Sequence, residues 1–306
     1  MHSDNEKSKR VLALRAANAA VTKSDTWFTR CRGGERVAAA FFIYLAVLAC
    51  FQQVSPVKIV LMFAVPVVII ALGNLETIKG RRWTSYLRDW LASGLILIAY
   101  WEIDWLATGH YLTDTQNNWL VWDRVILYQL GLKQAVESMG PVGPVFLEFC
   151  YLLLYSIPLF CLLLIYLNKR RPLVDRFYRV FFLGALAAYA LLPLIPIQSP
   201  RLFMPGQDLP IYSSVFRKIN VYVLEHLDIS TSVFPSGHVG VAFASFWGLY
   251  SVLPEKRALW GSVLAMALMV FTATIYGRYH YAADGLASVG ITTVAWRLAS
   301  YWGRDD

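Results

Sequence analysis

The chain has 306 residues, of which 57% are hydrophobic, 15% aromatic and only 16% charged, against roughly 25% charged in an ordinary soluble domain. So little charge cannot cover a water-exposed surface, and the composition also excludes a disordered, collagen-like or coiled-coil chain. The net charge of +8 is scattered between long apolar runs, which argues against a nucleic-acid partner. An all-α integral membrane protein surrounded by membrane lipids is the class that remains.

In chain order, residues 1–36 form a basic cytoplasmic tail with eight Lys and Arg, among them Lys7, Lys9, Arg10 and Arg15; such a tail is held near anionic lipid. It lacks an apolar h-region and a small-residue cleavage site, so a removed signal peptide is not expected. No Asp, Glu, Lys or Arg occurs between Arg36 and Lys58, Glu148 and Lys169, Arg179 and Arg201, Asp228 and Glu255, or Arg257 and Arg278. Each gap holds 20 or more residues, enough helix to span a bilayer core. With shorter runs at 59–74, 90–107 and 285–296, the pattern predicts about eight transmembrane helices. They fall near 37–53, 57–75, 90–107, 145–167, 180–197, 238–253, 258–277 and 280–300. The runs are continuously apolar and not alternating, which favours helices over a barrel.

A cytoplasmic N-terminus puts 21 of the 28 Lys and Arg on the inner side, the bias that orients membrane proteins. Both termini are then cytoplasmic, and Lys58, Arg124, Lys133, Arg201, Arg217, Lys218 and Arg278 lie outside. Cys50, Cys150 and Cys161 sit within spans and Cys31 in the tail, so no disulfide framework is suggested.

Polar residues interrupt the apolar pattern in three stretches, and the span count puts all three on the outer face. These are Ile197-Gln198-Ser199-Pro200-Arg201, Phe234-Pro235-Ser236-Gly237-His238, and the run from Tyr276 to Gly285. In the second, Pro235 stops the preceding structure and Ser236 can cap the helix that follows. Gly237 admits a bulky anion to free N–H groups at the positive helix end, which suits phosphate, and His238 can donate a proton there. A plain helix cap is the simpler alternative. In the third, His280 and Asp284 are four apart and share a helix face. The carboxylate can fix the imidazole tautomer and free the other nitrogen for nucleophilic attack, although many helices carry such a pair for stability alone. Arg201 and Arg278 adjoin these stretches and can grip phosphoryl oxygens with two hydrogen bonds; interfacial snorkelling is their alternative.

Pro235-Ser236-Gly237-His238 and His280-Tyr281-Ala282-Ala283-Asp284-Gly285, one helical hairpin apart, together resemble the type-2 phosphatidic acid phosphatase superfamily. With Arg278-Tyr279-His280-Tyr281 and Pro200-Arg201, the chain looks most like the branch that includes inositol phosphorylceramide synthases. The resemblance implies a six-helix catalytic core over 90–302, preceded by two added helices over 37–89. It implies His280 as the nucleophile that becomes phosphohistidine, Asp284 as its orienting carboxylate, and His238 as the acid that protonates the leaving oxygen. Arg278 and Arg201, assisted by Ser236 and the Gly237 N–H, would bind phosphoryl oxygens. No metal or cofactor is implied, and the substrate would be a lipid phosphate or phosphodiester. The chain departs from the phosphatase branch at Thr274, where that branch carries an Arg. Arg171-Pro172 falls on the opposite face and cannot supply the missing basic motif.

Other features have plainer readings. Glu102 and Asp104 diverge on a helix and are expected in an interfacial belt with Trp101 and Trp105. Arg217 and Lys218 are expected to face lipid headgroups, and residues 117–130 to form a helix on the outer surface. A non-catalytic lipid or proton-coupled transporter using the His–Asp pair would need charges near the membrane midplane, whereas here they cluster at helix ends. A zinc hydrolase using His238, His280 and Asp284 would need further ligands, and no His-Glu-x-x-His string is present.

Overall fold

The computed structural model describes residues 30–79 and 82–302, and all regular structure among them is helical. Most of the basic tail, and Arg304 near the other end, lie outside the described residues. The elements are α1 (Gly33–Phe51), α2 (Pro56–Lys79), α3 (Arg82–Ile103), α4 (Thr113–Arg124), α5 (Leu132–Glu137), α6 (Val142–Leu153) and α7 (Ile157–Leu167). They continue with α8 (Val174–Leu191), α9 (Pro200–Phe203), α10 (Val215–His226), α11 (Gly237–Val252), α12 (Arg257–Tyr276) and α13 (Ala282–Trp302).

Long helical stretches therefore occupy all eight expected positions, with α6 and α7 joined by one 3₁₀ turn, Leu154–Ser156. Four of them are long and apolar enough to cross a bilayer: α1, Pro56–Glu76 of α2, the combined Val142–Leu167 stretch, and α12. The protein is a membrane protein. The fifth helix starts at Val174 and ends at Leu191, earlier at both ends than expected. Pro193 and Pro196 follow it, and their missing N–H groups stop the ladder.

Packing explains why the central helices need not be the most apolar. α11 is buried along nearly its whole length, so its neighbours and not lipid choose its side chains. α8 packs most extensively against α11, α1 and α13. A Cβ on Gly184 of α8 would lie 3.2 Å from Ala244 Cβ of α11 and 3.3 Å from Thr292 Cγ2 of α13. Small residues at such crossings let helix backbones approach, the main source of association where lipid is as apolar as the side chains.

At one end of the bundle, charges join α1 and α2 to α3 and to the turn before α8. Arg88 pairs with Glu35 and Glu76, Arg32 with Asp89, and Arg171 Nε with Asp89 at 2.9 Å. Asp175 of α8 caps α1 by accepting from the N–H groups of Gly33 and Gly34 at 3.0 and 2.8 Å. The opposite end gathers the C-terminal end of α8 and the N-terminal ends of α11 and α13, so the three polar stretches of the sequence meet there.

Candidate active site

His280 closes the turn between α12 and α13. The N–H groups of Tyr279 and His280 both donate to the Thr274 carbonyl, at 2.9 and 3.1 Å, which folds the turn back on the end of α12. His280 Nδ1 lies 3.0 Å from the Val233 carbonyl and 3.3 Å from Asp284 Oδ2. A carbonyl only accepts, so the network assigns the proton to Nδ1 and leaves Nε2 with a free lone pair. Asp284 Oδ2 also accepts from the Tyr281 N–H at 2.9 Å, which fixes the carboxylate.

His280 Nε2 meets His238 Nδ1 at 3.0 Å. With Nε2 accepting, His238 donates from Nδ1, and its own Nε2 faces the Tyr155 hydroxyl at 3.4 Å. Val233, Asp284, His280, His238 and Tyr155 thus form one chain of hydrogen bonds through both imidazoles. Asp284 meets His280 on the nitrogen away from His238, so the three side chains form a relay and do not converge on one point as metal ligands would.

The sequence at the start of α11 builds the other wall. Ser236 caps the helix by accepting from the Val239 N–H at 3.2 Å, and Gly237 is needed because a Cβ there would lie 2.8 Å from the Tyr189 ring. A small cavity lies against His238, His280, Gly237, Ser199, Arg201 and Tyr151. The last three bring buried polar atoms without partners: Ser199 Oγ, Arg201 Nε and the Tyr151 hydroxyl. Buried polar atoms left unsatisfied each cost free energy, and all three belong to residues that line this one cavity. Arg201 is held by its backbone, whose N–H donates to the Arg278 carbonyl at 3.1 Å, and its guanidinium lies 3.8 Å from Glu225.

Arg278 and Ser236 lie behind this cavity and do not line it. Arg278 is 1% exposed and donates to Asp123 Oδ2 of α4 at 2.7 Å. Asp123 also accepts from the Ala282 N–H at 2.9 Å, capping α13. Arg278 has φ of +64°, a conformation costly for a residue with a Cβ and kept only where surroundings impose it. Burial raises the Asp123 carboxyl above its ordinary value, offset by the Ala282 N–H and Arg278.

Arg217 corrects the expectation of a charge facing headgroups. It is buried and donates to Glu148 Oε1 of α6 at 2.7 Å, while Lys218 beside it is exposed. Glu148 Oε2 accepts from the Tyr279 hydroxyl at 2.7 Å and from Asn220 at 2.8 Å. The 12-residue helix α10 is amphipathic, and Arg217 falls on its inward stripe because three and four residues bring Asn220 and Leu224 onto the same side. Glu102 is a second correction: it is only 5% exposed and has a partnerless Oε2, which is not a belt position. Asp104 accepts from the Ser230 hydroxyl at 2.8 Å.

Comparison with known proteins places this geometry. A family model described as the PAP2 superfamily matches residues 125–298, more than half of the chain. The chain belongs to the PAP2 superfamily. A PA-phosphatase related-family protein of Dictyostelium discoideum is 27% identical over 149 residues, covering 45% of this chain and 26% of that protein. This chain therefore aligns with about a quarter of that relative's length. No solved structure matches it.

Membership supports a phosphatase-type enzyme of membranes and directs attention to residues around the motifs that carry no motif of their own. Tyr151 stacks between Tyr279 and His238, with ring centroids 4.5 and 5.2 Å away. The Tyr100 hydroxyl donates to Asp228, whose carboxyl burial raises above its ordinary value against the opposing pull of Tyr100, His280 and Arg201. Asp228 faces the same cavity. Nothing in the local pattern of Tyr100, Tyr151, Tyr155 or Asp228 distinguishes them from interfacial aromatics and loop acids. Glu148 did carry a signal, since a carboxylate inside an apolar helix is expensive without a partner.

Proposed function

We propose that this membrane protein is a metal-independent lipid phosphatase or headgroup phosphotransferase working through a phosphohistidine on His280. One observation carries the reading. An imidazole whose Nδ1 is committed to Asp284 and Val233 keeps an unprotonated Nε2, held only by His238, beside a cavity lined by Arg201, Ser199 and Tyr151 with their partnerless atoms.

In the proposed reaction the phosphoryl group enters between the two imidazoles and takes the place of their mutual hydrogen bond. His280 Nε2 attacks phosphorus, the bond to the departing oxygen breaks, and His238 gives that oxygen its proton. Asp284 stabilises the charge that develops on His280. Water or an alcohol then attacks the phosphohistidine, with His238 now taking the proton. Arg201 is read as the cation on the non-bridging oxygens, aided by the Gly237 N–H at the α11 terminus. Arg278, paired with Asp123, is read as holding the nucleophile's turn and not as a direct phosphate ligand.

The substrate class is a lipid phosphate or phosphodiester presented at the outer face, with both chain termini cytoplasmic. Pro200-Arg201 and Arg278-Tyr279-His280-Tyr281 favour the branch with inositol phosphorylceramide synthases, in which an alcohol is the acceptor. The test is to incubate purified protein with ³²P-labelled lipid phosphates and phosphodiesters, with and without polyols, and to quench under alkaline conditions that preserve phosphohistidine. The reading expects label on His280, with inorganic phosphate or a new lipid headgroup as product. Turnover without label in a quenched time course would overturn the covalent mechanism.

A further inference from the structure

Three tyrosines pack against His238, and each meets it differently. Tyr151 lies over the imidazole, with ring centroids 5.2 Å apart and planes 32° from parallel. Tyr100 and Tyr155 approach edge-on, at 6.2 Å and 71° and at 6.1 Å and 81°. The Tyr100 hydroxyl is engaged with Asp228, and the Tyr151 hydroxyl is buried without a partner. Of the three, Tyr155 is the one whose hydroxyl reaches a ring nitrogen, Nε2 at 3.4 Å. Its place follows from the chain. Tyr151 and Tyr155 are four residues apart in the helical stretch Val142–Leu167, so both rings fall on the side that faces His238.

The donors along this line run in one direction. His280 commits its Nδ1 proton to Val233 and Asp284, its Nε2 accepts from His238 Nδ1, and His238 Nε2 in turn accepts from the Tyr155 hydroxyl. A hydroxyl can donate, and an imidazole nitrogen without a proton can only accept. His238 is then a neutral ring carrying one proton, on the nitrogen that faces His280. Such a ring is a poor acid by itself. Giving up the Nδ1 proton with nothing arriving at Nε2 would leave an imidazolate anion in a buried site, where an uncompensated charge is expensive. A proton entering at Nε2 as the other leaves from Nδ1 keeps the ring neutral throughout.

We propose that Tyr155 is a proton-relay and positioning residue that makes His238 an acid, acting through that ring and not on the substrate. The inference rests on the phosphohistidine reading for the two half-reactions. In the first, the His280 Nε2 lone pair bonds phosphorus, and the bond to the departing oxygen breaks with its electron pair on that oxygen. The oxygen takes the Nδ1 proton of His238 while the Tyr155 hydroxyl proton passes to Nε2, leaving a phenolate. In the second, water or an alcohol attacks phosphorus, and the bond to His280 breaks with its pair returning to Nε2. The attacking hydroxyl gives its proton to His238 Nδ1, and the Nε2 proton returns to Tyr155. The relay is restored with no proton drawn from solvent. A phenol is a far stronger acid than water or an aliphatic alcohol, so the charge rests on Tyr155 at lower cost than on the departing oxygen.

The test compares kcat/KM of the purified protein on octyl phosphate and on 4-nitrophenyl phosphate, each reporting the reaction up to release of the first product. Octanol departs only with a proton, whereas 4-nitrophenolate departs as an anion, so the relay matters to the first substrate and not to the second. A positioned acid contributes about 10²–10⁴-fold, and Tyr155→Phe, which removes the hydroxyl and keeps the ring, is expected to lower the octyl-to-nitrophenyl ratio by roughly 10–100-fold. A purely structural role lowers both rates alike and leaves the ratio where it was. Placing 3-fluorotyrosine at position 155 keeps the shape with a more acidic hydroxyl, and the ratio is expected to rise about twofold. This second protein decides the matter if Tyr155→Phe fails to fold. A ratio unmoved by these replacements overturns the relay. Wild type quenched in alkali with ³²P-labelled 4-nitrophenyl phosphate tests the underlying reading separately. A falling ratio with no label on His280 retains the relay onto His238 and defeats the phosphohistidine, and labelled His280 with an unmoved ratio does the reverse.

Discussion

Arg278 and Asp123 are 155 residues apart in sequence and 2.7 Å apart in space, each about 1% exposed. The pair joins a surface helix to the turn that carries His280, and Asp123 caps α13 with its other oxygen. Removing one partner of a buried pair strands a charge, at a cost of about 3–5 kcal/mol. Asp123→Ala is expected to lower the unfolding midpoint in detergent and to depress turnover, and Asp123→Ala/Arg278→Met to recover much of the stability. Unaltered thermal unfolding of Asp123→Ala would show that the pair does not hold the turn.

The relay through His280 makes the catalytic substitutions unequal. His280→Ala and His238→Ala are each expected to abolish turnover. Asp284→Asn keeps the shape but loses the charge facing Nδ1, and a fall of about 10²–10⁴-fold in kcat is expected. Full activity of purified His280→Ala would sink the mechanism.

Arg201 should separate binding from geometry. A charge-assisted hydrogen bond contributes about 1.5–3 kcal/mol, so Arg201→Ala is expected to weaken kcat/KM by roughly ten- to a hundredfold. Arg201→Lys should recover part of this, since a point charge replaces the planar fork. Equal activity of all three proteins on one lipid phosphate would remove Arg201 from the site.

Glu148 tests whether His280, the proposed nucleophile, is positioned from outside its own turn. Glu148→Gln leaves Arg217 buried without its countercharge and loosens the Tyr279 hydroxyl. The expected result is a lower kcat with KM little changed, together with a loss of about 3–5 kcal/mol in stability. Glu148→Gln/Arg217→Met should restore stability before activity. A change confined to KM would contradict the positioning role.

Asp228 gives a pH dependence whose sign follows from burial. Its carboxyl titrates above the ordinary value of 3.8 in the folded protein, so the folded state holds the proton more tightly than the unfolded chain. That contribution to stability is complete below the ordinary value and is lost as pH rises through the raised one. Asp228→Asn removes the loss, and its midpoint advantage over wild type should be larger at neutral pH than at acid pH. A pH-independent difference between the two unfolding midpoints would refute this.

Much of the architecture was legible because membranes impose a coarse rule. A run of about 20 uncharged residues must become a helix, since lipid offers no partner to a backbone N–H. All eight expected positions proved helical. The fifth ended early where Pro193 and Pro196 follow it, and the fourth is interrupted by the 3₁₀ turn at Leu154–Ser156. The start of α11 at Gly237 and His238 and the contact of His280 with Asp284 were legible too, because helix starts and four-residue spacings are local.

What the sequence determined by itself is therefore local: the helical class, the low charge of 16%, the Ser236 cap and the His280–Asp284 spacing. Tertiary structure decided which charges are buried against one another and which lie at the cavity. Arg201, Arg217 and Arg278 look alike in the chain, each a cation near a helix end. Packing gives Arg278 to Asp123 and Arg217 to Glu148 at 2.7 Å each, and leaves Arg201 at the cavity with the exposed Glu225 3.8 Å away. Coulomb attraction in a low-dielectric interior acts through distance in space, and only the fold brings residues 155 apart within reach.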